Sequence, residues 1–139
     1  MIGQLQQLGH WFHRRKVPLV PLIVDAVIRY IFRCVVYSET SIGAGTKFGY
    51  GGIAVVIHRR ARIGRRCQIG PRVTVGGTSG HFDVPVIGDD CTLHSGAVVI
   101  GPIKVGNNVI IGANAVVNRD VPDNVVVAGV PARVIRSIG

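Results

Sequence analysis

The sequence predicts an all-β solenoid, a parallel β-helix of hexapeptide repeats with a short α-helical segment in front of it. Three observations point that way: an apolar residue at every sixth position, a glycine or small polar residue after most of them, and a small or β-branched residue four places on. Ile57, Ile63, Ile69 and Val75 hold the step, and Ile87, Leu93, Val99, Val105, Ile111 and Val117 resume it. The fourth positions are Ala61, Cys67, Val73, Cys91, Ala97, Val109 and Ala115. An amphipathic helix needs a period near 3.6 and an alternating strand a period of two. A period of six fits one short flat strand and one corner per hexad, with glycine easing the corner and two inward side chains filling a narrow core. Internal repetition of this kind outranks local propensity.

Taken along the chain, residues 1–38 form a basic, apolar helical segment and residues 39–139 the hexapeptide-repeat domain, with a loop excursion at 76–86. In the first segment Ile2, Leu5, Leu8, Trp11 and Phe12 recur at helical spacing and Arg14, Arg15 and Lys16 close the run. A second helix follows, with Pro18 and Pro21 suited to its first turn and Asp25, Arg29 and Arg33 forming a polar stripe; Cys34 is expected inside it. Spanning a bilayer would bury that stripe, and no small-residue cleavage site marks a secretory signal. The segment either packs on the solenoid's end or a neighbouring subunit, or makes peripheral contact with an anionic membrane. The parallel β-helix is expected from residue 42 to about 135. With three strands per coil, residues eighteen apart stack at about 4.8 Å. The period leaves the handedness open.

Composition agrees with one compact unit, 47% of whose 139 residues are hydrophobic. The three cysteines read as core fillers rather than a disulfide framework, which suits a reducing, cytoplasmic compartment, with the inner membrane face as an alternative station. The net charge of +9 is unevenly spread: residues 1–72 carry twelve Lys or Arg against Asp25 and Glu39, and residues 73–139 carry four against five acids. Arg60, Arg66 and Arg72 fall on three successive corners and form a collar around one coil. That pattern does not resemble a nucleic-acid groove, so no nucleic-acid partner is expected.

The hexads, the loop VGGTSGHFDVPVIGDD, the run IGANAVVNRDVPDN and the tail VVVAGVPARVI together resemble the hexapeptide-repeat acyltransferases, nearest to the serine acetyltransferase-like branch. The resemblance covers about residues 40–136. It implies a left-handed β-helix, a homotrimer, and acetyl-CoA as donor in a cleft between adjacent solenoids, with no metal.

The resemblance also explains a histidine in the loop. Moving an acetyl group from a thioester to an alcohol requires removal of the hydroxyl proton, for which imidazole is poised near neutral pH, and fixed donors for the oxyanion. His81 is the first candidate for the base, with Asp83 two residues on to fix its tautomer. His58, eighteen residues before Gly76, is expected beside the loop root as a supporting or alternative base. Matching positions imply a donor site of His94, Ser95, Gly112, Ala113, Asn118, Arg119 and Arg133, with arginines for the CoA phosphates. His10 and His13 read as surface residues.

Where serine acetyltransferases carry a histidine before a GIVI-like strand, this chain has Tyr50, Gly51 and Gly52, and their large N-terminal helical domain is replaced by some forty residues. Both features direct the expectation to an O-acetyltransferase acting on a saccharide or glycan precursor of polysaccharide biosynthesis, with serine as the alternative acceptor. Two further readings are a non-catalytic, CoA-binding trimeric scaffold and a γ-type carbonic anhydrase. The latter rests on VVIH at 55–58 and LHSG at 93–96, without that family's closely spaced histidine pair.

Overall fold

The computed structural model of the chain describes residues 2–138. A triangular parallel β-solenoid follows a helical hairpin, α1 (Ile2–Arg14) and α2 (Leu19–Tyr30). The first face stacks Ser41–Ile42, Arg62–Ile63, Val86–Ile87 and Lys104–Val105. The second stacks Lys47–Phe48, Gln68–Ile69, Thr92–Leu93, Ile110–Ile111 and Val125–Ala128, and the third Val56–Ile57, Thr74–Gly76, Val98–Ile100 and Val116–Val117. Every hexad apolar residue from Ile57 to Val117 is buried, and so is every fourth-position residue. Two inward side chains per strand therefore suffice for the core.

Stacking follows the eighteen-residue step where no insertion intervenes: Ile57 pairs with Val75, Leu93 with Ile111 and Val99 with Val117. Across the loop the partners are Ile63 with Ile87 and Val75 with Val99, twenty-four apart, so the excursion inserts one hexad's length and leaves the metre in phase. A second insertion lies ahead of the first clear hexad. The turn Gly49–Gly52 lengthens the first coil, so that Ile42 stacks on Ile63 and Phe48 on Ile69, twenty-one apart. The parallel stack also ends earlier than expected. Arg133–Ser137 runs antiparallel to Val125–Ala128 and closes the second face with a hairpin return.

The corners explain much of the composition. Along the edge after the first face, Gly45, Arg66, Asp90, Asn108 and Asn124 all take positive φ, and Ala54, Arg72, Gly96 and Asn114 do so after the second. Asn and Asp accept this backbone more readily than other L residues. The first edge also carries a ladder of small residues: a Cβ on Gly64 would stand 2.5 Å from Gly88 O, and one on Gly88 2.7 Å from Gly106 O. Side-chain oxygens close the ladder, Asp89 accepting from Arg65 N–H, Asn107 from Asp89 N–H, and Asp123 from Asn107 N–H, at 2.7–2.8 Å.

The helical hairpin differs from its sequence reading. Gln6 and Gly9, with Ile2, form the buried side of α1, whereas Leu8 and Trp11 remain exposed. Backbone groups of the incoming chain decide this: Gln6 Nε2 donates to the carbonyls of Tyr37 (3.0 Å) and Thr40 (2.7 Å), Gln7 Nε2 to that of Ile42 (2.6 Å), and His10 Nδ1 lies 2.9 Å from Ser38 O. His10 is thus a docking residue and not a free surface group. A Cβ on Gly9 would overlap the Ser38 hydroxyl, which donates to Asp25 at 2.5 Å. α2 stops at Tyr30, so Cys34 and Arg33 lie beyond it, Arg33 at φ 59°. Cys34 is buried, and burial pushes its thiol up to about 11. Among the described residues no helix is long and apolar enough to cross a membrane.

Candidate active site at two edges of the prism

The loop leaves the coil at the edge after the third face. Its far end is tied down by Pro85, which is buried, and by Val84, which packs on the core. Its middle is held by the collar: Arg60 Cζ lies 4.0 Å from the Phe82 ring centroid and Nη2 donates to Phe82 O at 2.6 Å. The other two collar arginines also reach one coil up, Arg66 to the Asp90 carboxylate (Nε to Oδ1 2.7 Å) and Arg72 to Ser95 Oγ (3.3 Å). The collar is a set of straps between coils.

His81 stands exposed at the loop tip, after Gly80 with its positive φ. Among the described residues no hydrogen bond joins it to Asp83. Asp83 faces a cavity of about 640 Å³ under the loop, lined also by Glu39, Arg59, Arg60, Arg62, Phe82 and Lys104. His58 is at the loop root. Its backbone N–H donates to Val75 O (2.7 Å), and a Cβ on Gly77 would lie 4.0 Å from His58 Cδ2. Its Nδ1 accepts from Arg60 N–H at 3.1 Å, which leaves the proton of the neutral ring on Nε2. In that tautomer Nε2 carries the donor N–H. Burial, then the Arg60 and Arg59 charges, hold its pKa below the usual 6.5, with Glu39 opposing.

The residues expected at the donor site divide between edges. His94, Ser95, Gly112 and Ala113 lie along the edge after the second face, where His94 N–H donates to Ile111 O at 3.0 Å and Asn114 N–H to Ser95 O at 3.0 Å. Tyr50, at φ 50° and almost wholly exposed, heads the same edge. Asn118 and Arg119 leave the third face on the loop's own edge, exposed to solvent. Arg133 begins the antiparallel strand, opposite Ala128. Arg60, which holds the loop, was not among the expected site residues, and no spacing signals its path to Phe82.

Cys67 and Cys91 stack on adjacent rungs inside the prism and are fully buried, their thiols donating to Gly88 O (3.2 Å) and Gly106 O (3.1 Å). The neighbouring Cys67 thiol and burial push Cys91 far up. Neither sulfur can meet an acyl donor. Among the described residues, no three His, Cys, Asp or Glu side chains gather where a metal ion could be held.

Comparison with known proteins places this geometry. Residues 85–119 match the family described as bacterial transferase hexapeptide (six repeats). The serine acetyltransferase of Helicobacter pylori (strain J99) is 34% identical over 132 residues, covering 93% of this chain and 76% of that protein. That of Synechococcus elongatus is 33% identical over 135 residues, covering 96% of this chain and 55% of that protein. The crystal structure of serine acetyltransferase in complex with coenzyme A from Brucella abortus strain S19 superposes with a TM-score of 0.91 at 30% identity, over 98% of this chain and 55% of that one. The chain thus spans little more than half the length of most of these relatives. Its fold is their left-handed parallel β-helix, and the chain belongs to the hexapeptide-repeat acyltransferases, on the serine acetyltransferase-like branch.

Proposed function

We propose that the chain is an acetyl-CoA-dependent O-acetyltransferase that works as a homotrimer and acetylates the serine hydroxyl. One observation carries the reading: serine acetyltransferases match this chain nearly end to end, one of them solved with coenzyme A bound. The division of the candidate residues supports the trimer. A single molecule that touches His94, Ser95, Gly112 and Ala113 on one edge and Asn118 and Arg119 on another lies in a cleft between two copies, each contributing one edge.

In that cleft the acceptor hydroxyl attacks the thioester carbonyl while His81 Nε2 or Nδ1 takes its proton. His58 Nε2–H and backbone amides at the corners stabilise the oxyanion. Collapse breaks the carbon–sulfur bond, and the proton held by His81 returns to the departing thiolate. Transfer is direct, since the cysteines are sealed in the core. Gly112 lets pantetheine approach the backbone, and Arg119 and Arg133 meet the CoA phosphates.

The acceptor proposed here replaces the saccharide favoured by the sequence, because the matched relatives are serine acetyltransferases. A saccharide remains the second reading on one observation, the 640 Å³ cavity under the loop, whose size suits a ligand larger than an amino acid. Thiol release from acetyl-CoA, measured with serine and with a panel of saccharides, tests both. Release with serine supports the first reading and release with a saccharide alone the second. CoA binding without release in any arm leaves a scaffold.

A further inference from the structure

The helical hairpin leaves a surface that no described residue covers. α2 carries two apolar stripes. Pro21, Val24 and Ile28 are buried, whereas Leu19, Leu22, Ile23, Ala26 and Tyr30 recur at three- and four-residue steps and face solvent, Leu22 at 66% and Tyr30 at 73% exposure. A helix apolar on both sides belongs to a buried setting, and a contiguous exposed apolar face marks an interaction surface. Beside this stripe lies a cavity of about 1020 Å³, lined by Leu22 and Tyr30 and by the cations Arg14, Lys16, Arg29 and Arg59. Glu39 pairs with Arg59 and the Ser38 hydroxyl occupies Asp25. Arg14 and Lys16 have no acidic partner among the described residues.

We propose that this hairpin docks peripherally on an anionic lipid bilayer. The outer stripe of α2 lies in the headgroup–acyl boundary and a lipid phosphate is drawn to Arg14 and Lys16. Residues 2–33 carry five Lys or Arg against Asp25 alone, which selects the occupant: a second copy would cover the apolar stripe but set like charges against each other, whereas anionic lipid satisfies both. The twelve residues of α2 extend about 18 Å, short of the roughly 30 Å hydrocarbon core, so the helix lies in the plane. Neither the acyl donor nor the acceptor enters this inference.

Vesicle co-sedimentation of the full chain tests it, using phosphatidylcholine alone and phosphatidylcholine with about 30% phosphatidylglycerol. The chain is expected to sediment with the anionic vesicles and to be released by added salt. The double variants Leu22→Glu/Ile23→Glu and Arg14→Glu/Lys16→Glu should each bind about tenfold more weakly or worse, with unchanged circular dichroism and unchanged thiol release from acetyl-CoA with a soluble acceptor. Equal binding to both vesicle types, or no binding, overturns the proposal. So does a Leu22→Glu/Ile23→Glu variant that loses self-association while still sedimenting with lipid.

Discussion

Arg60 lies over the ring of Phe82, Cζ 4.0 Å from the centroid, and donates to the carbonyl of the same residue at 2.6 Å. One side chain from the coil below thereby fixes the middle of the loop that carries His81. Arg60→Ala is expected to raise amide exchange at Phe82 and Asp83 and to lower turnover about tenfold to a hundredfold through misplacement of the loop. Hydrogen exchange and steady-state kinetics on one preparation check it, and Arg60→Lys, lacking the planar stack, should rescue only in part.

His81→Ala should lower turnover about 10²- to 10⁴-fold, the usual worth of a positioned base, with CoA affinity unchanged. His58→Ala should cost less and leave the pH dependence of the base in place, because its Nδ1 already accepts from Arg60 N–H. Single-turnover kinetics with calorimetric CoA titration separates the two, and a larger loss at His58 would reverse the assignment.

The pKa of His58 is held below 6.5 by burial and by the Arg60 and Arg59 charges. Just below 6.5 the folded protein then binds fewer protons here than the unfolded chain. The stability that the neutral ring contributes is complete above that value and declines as pH falls through the window beneath it. An NMR titration of the His58 ring should show a midpoint under 6.5 that moves upward in Arg60→Ala. A midpoint above 6.5 would contradict the placement.

The corners make opposite predictions at two sites. Gly64→Ala sets a methyl 2.5 Å from Gly88 O and should cost about 1–3 kcal/mol or more. Ala54→Gly relieves a positive φ of 56° at an exposed residue and should stabilise by about 0.5–1 kcal/mol, the αL penalty less glycine's extra chain entropy. Chemical denaturation of the two variants beside the wild type decides both.

Particular residues show what the sequence could carry. Ile57 to Val117 announce the solenoid because burial repeats at each turn, and His58 could be placed beside Gly76 by counting alone. The loop at 77–85 was legible because it displaces a strand while keeping phase. The turn at Gly49–Gly52 was not, since it precedes the first clear hexad and has no metre to break. The buried side of α1 was hidden because Gln6 and His10 serve the carbonyls of residues 37–40, partners that periodicity does not reveal. For the site, residue types suggested His81, His58 and His94, but only the coil geometry shows that His94 lies on a different edge from the other two. The Arg60–Phe82 strap depends on a side-chain path across twenty-two residues, which spacing cannot predict.

Subunit complementation tests the central claim, a site built from two edges of different copies. His81→Ala disables the loop edge, and Ala113→Trp, at an exposed position, blocks the donor edge. Each variant alone should be inactive in thiol release. Mixed trimers refolded from equal amounts should recover about a quarter of wild-type activity, since one neighbouring pair in four joins an intact loop to an intact donor edge. Mixed assemblies that form and remain as inactive as the parents would place both halves of the site in one chain and contradict the account.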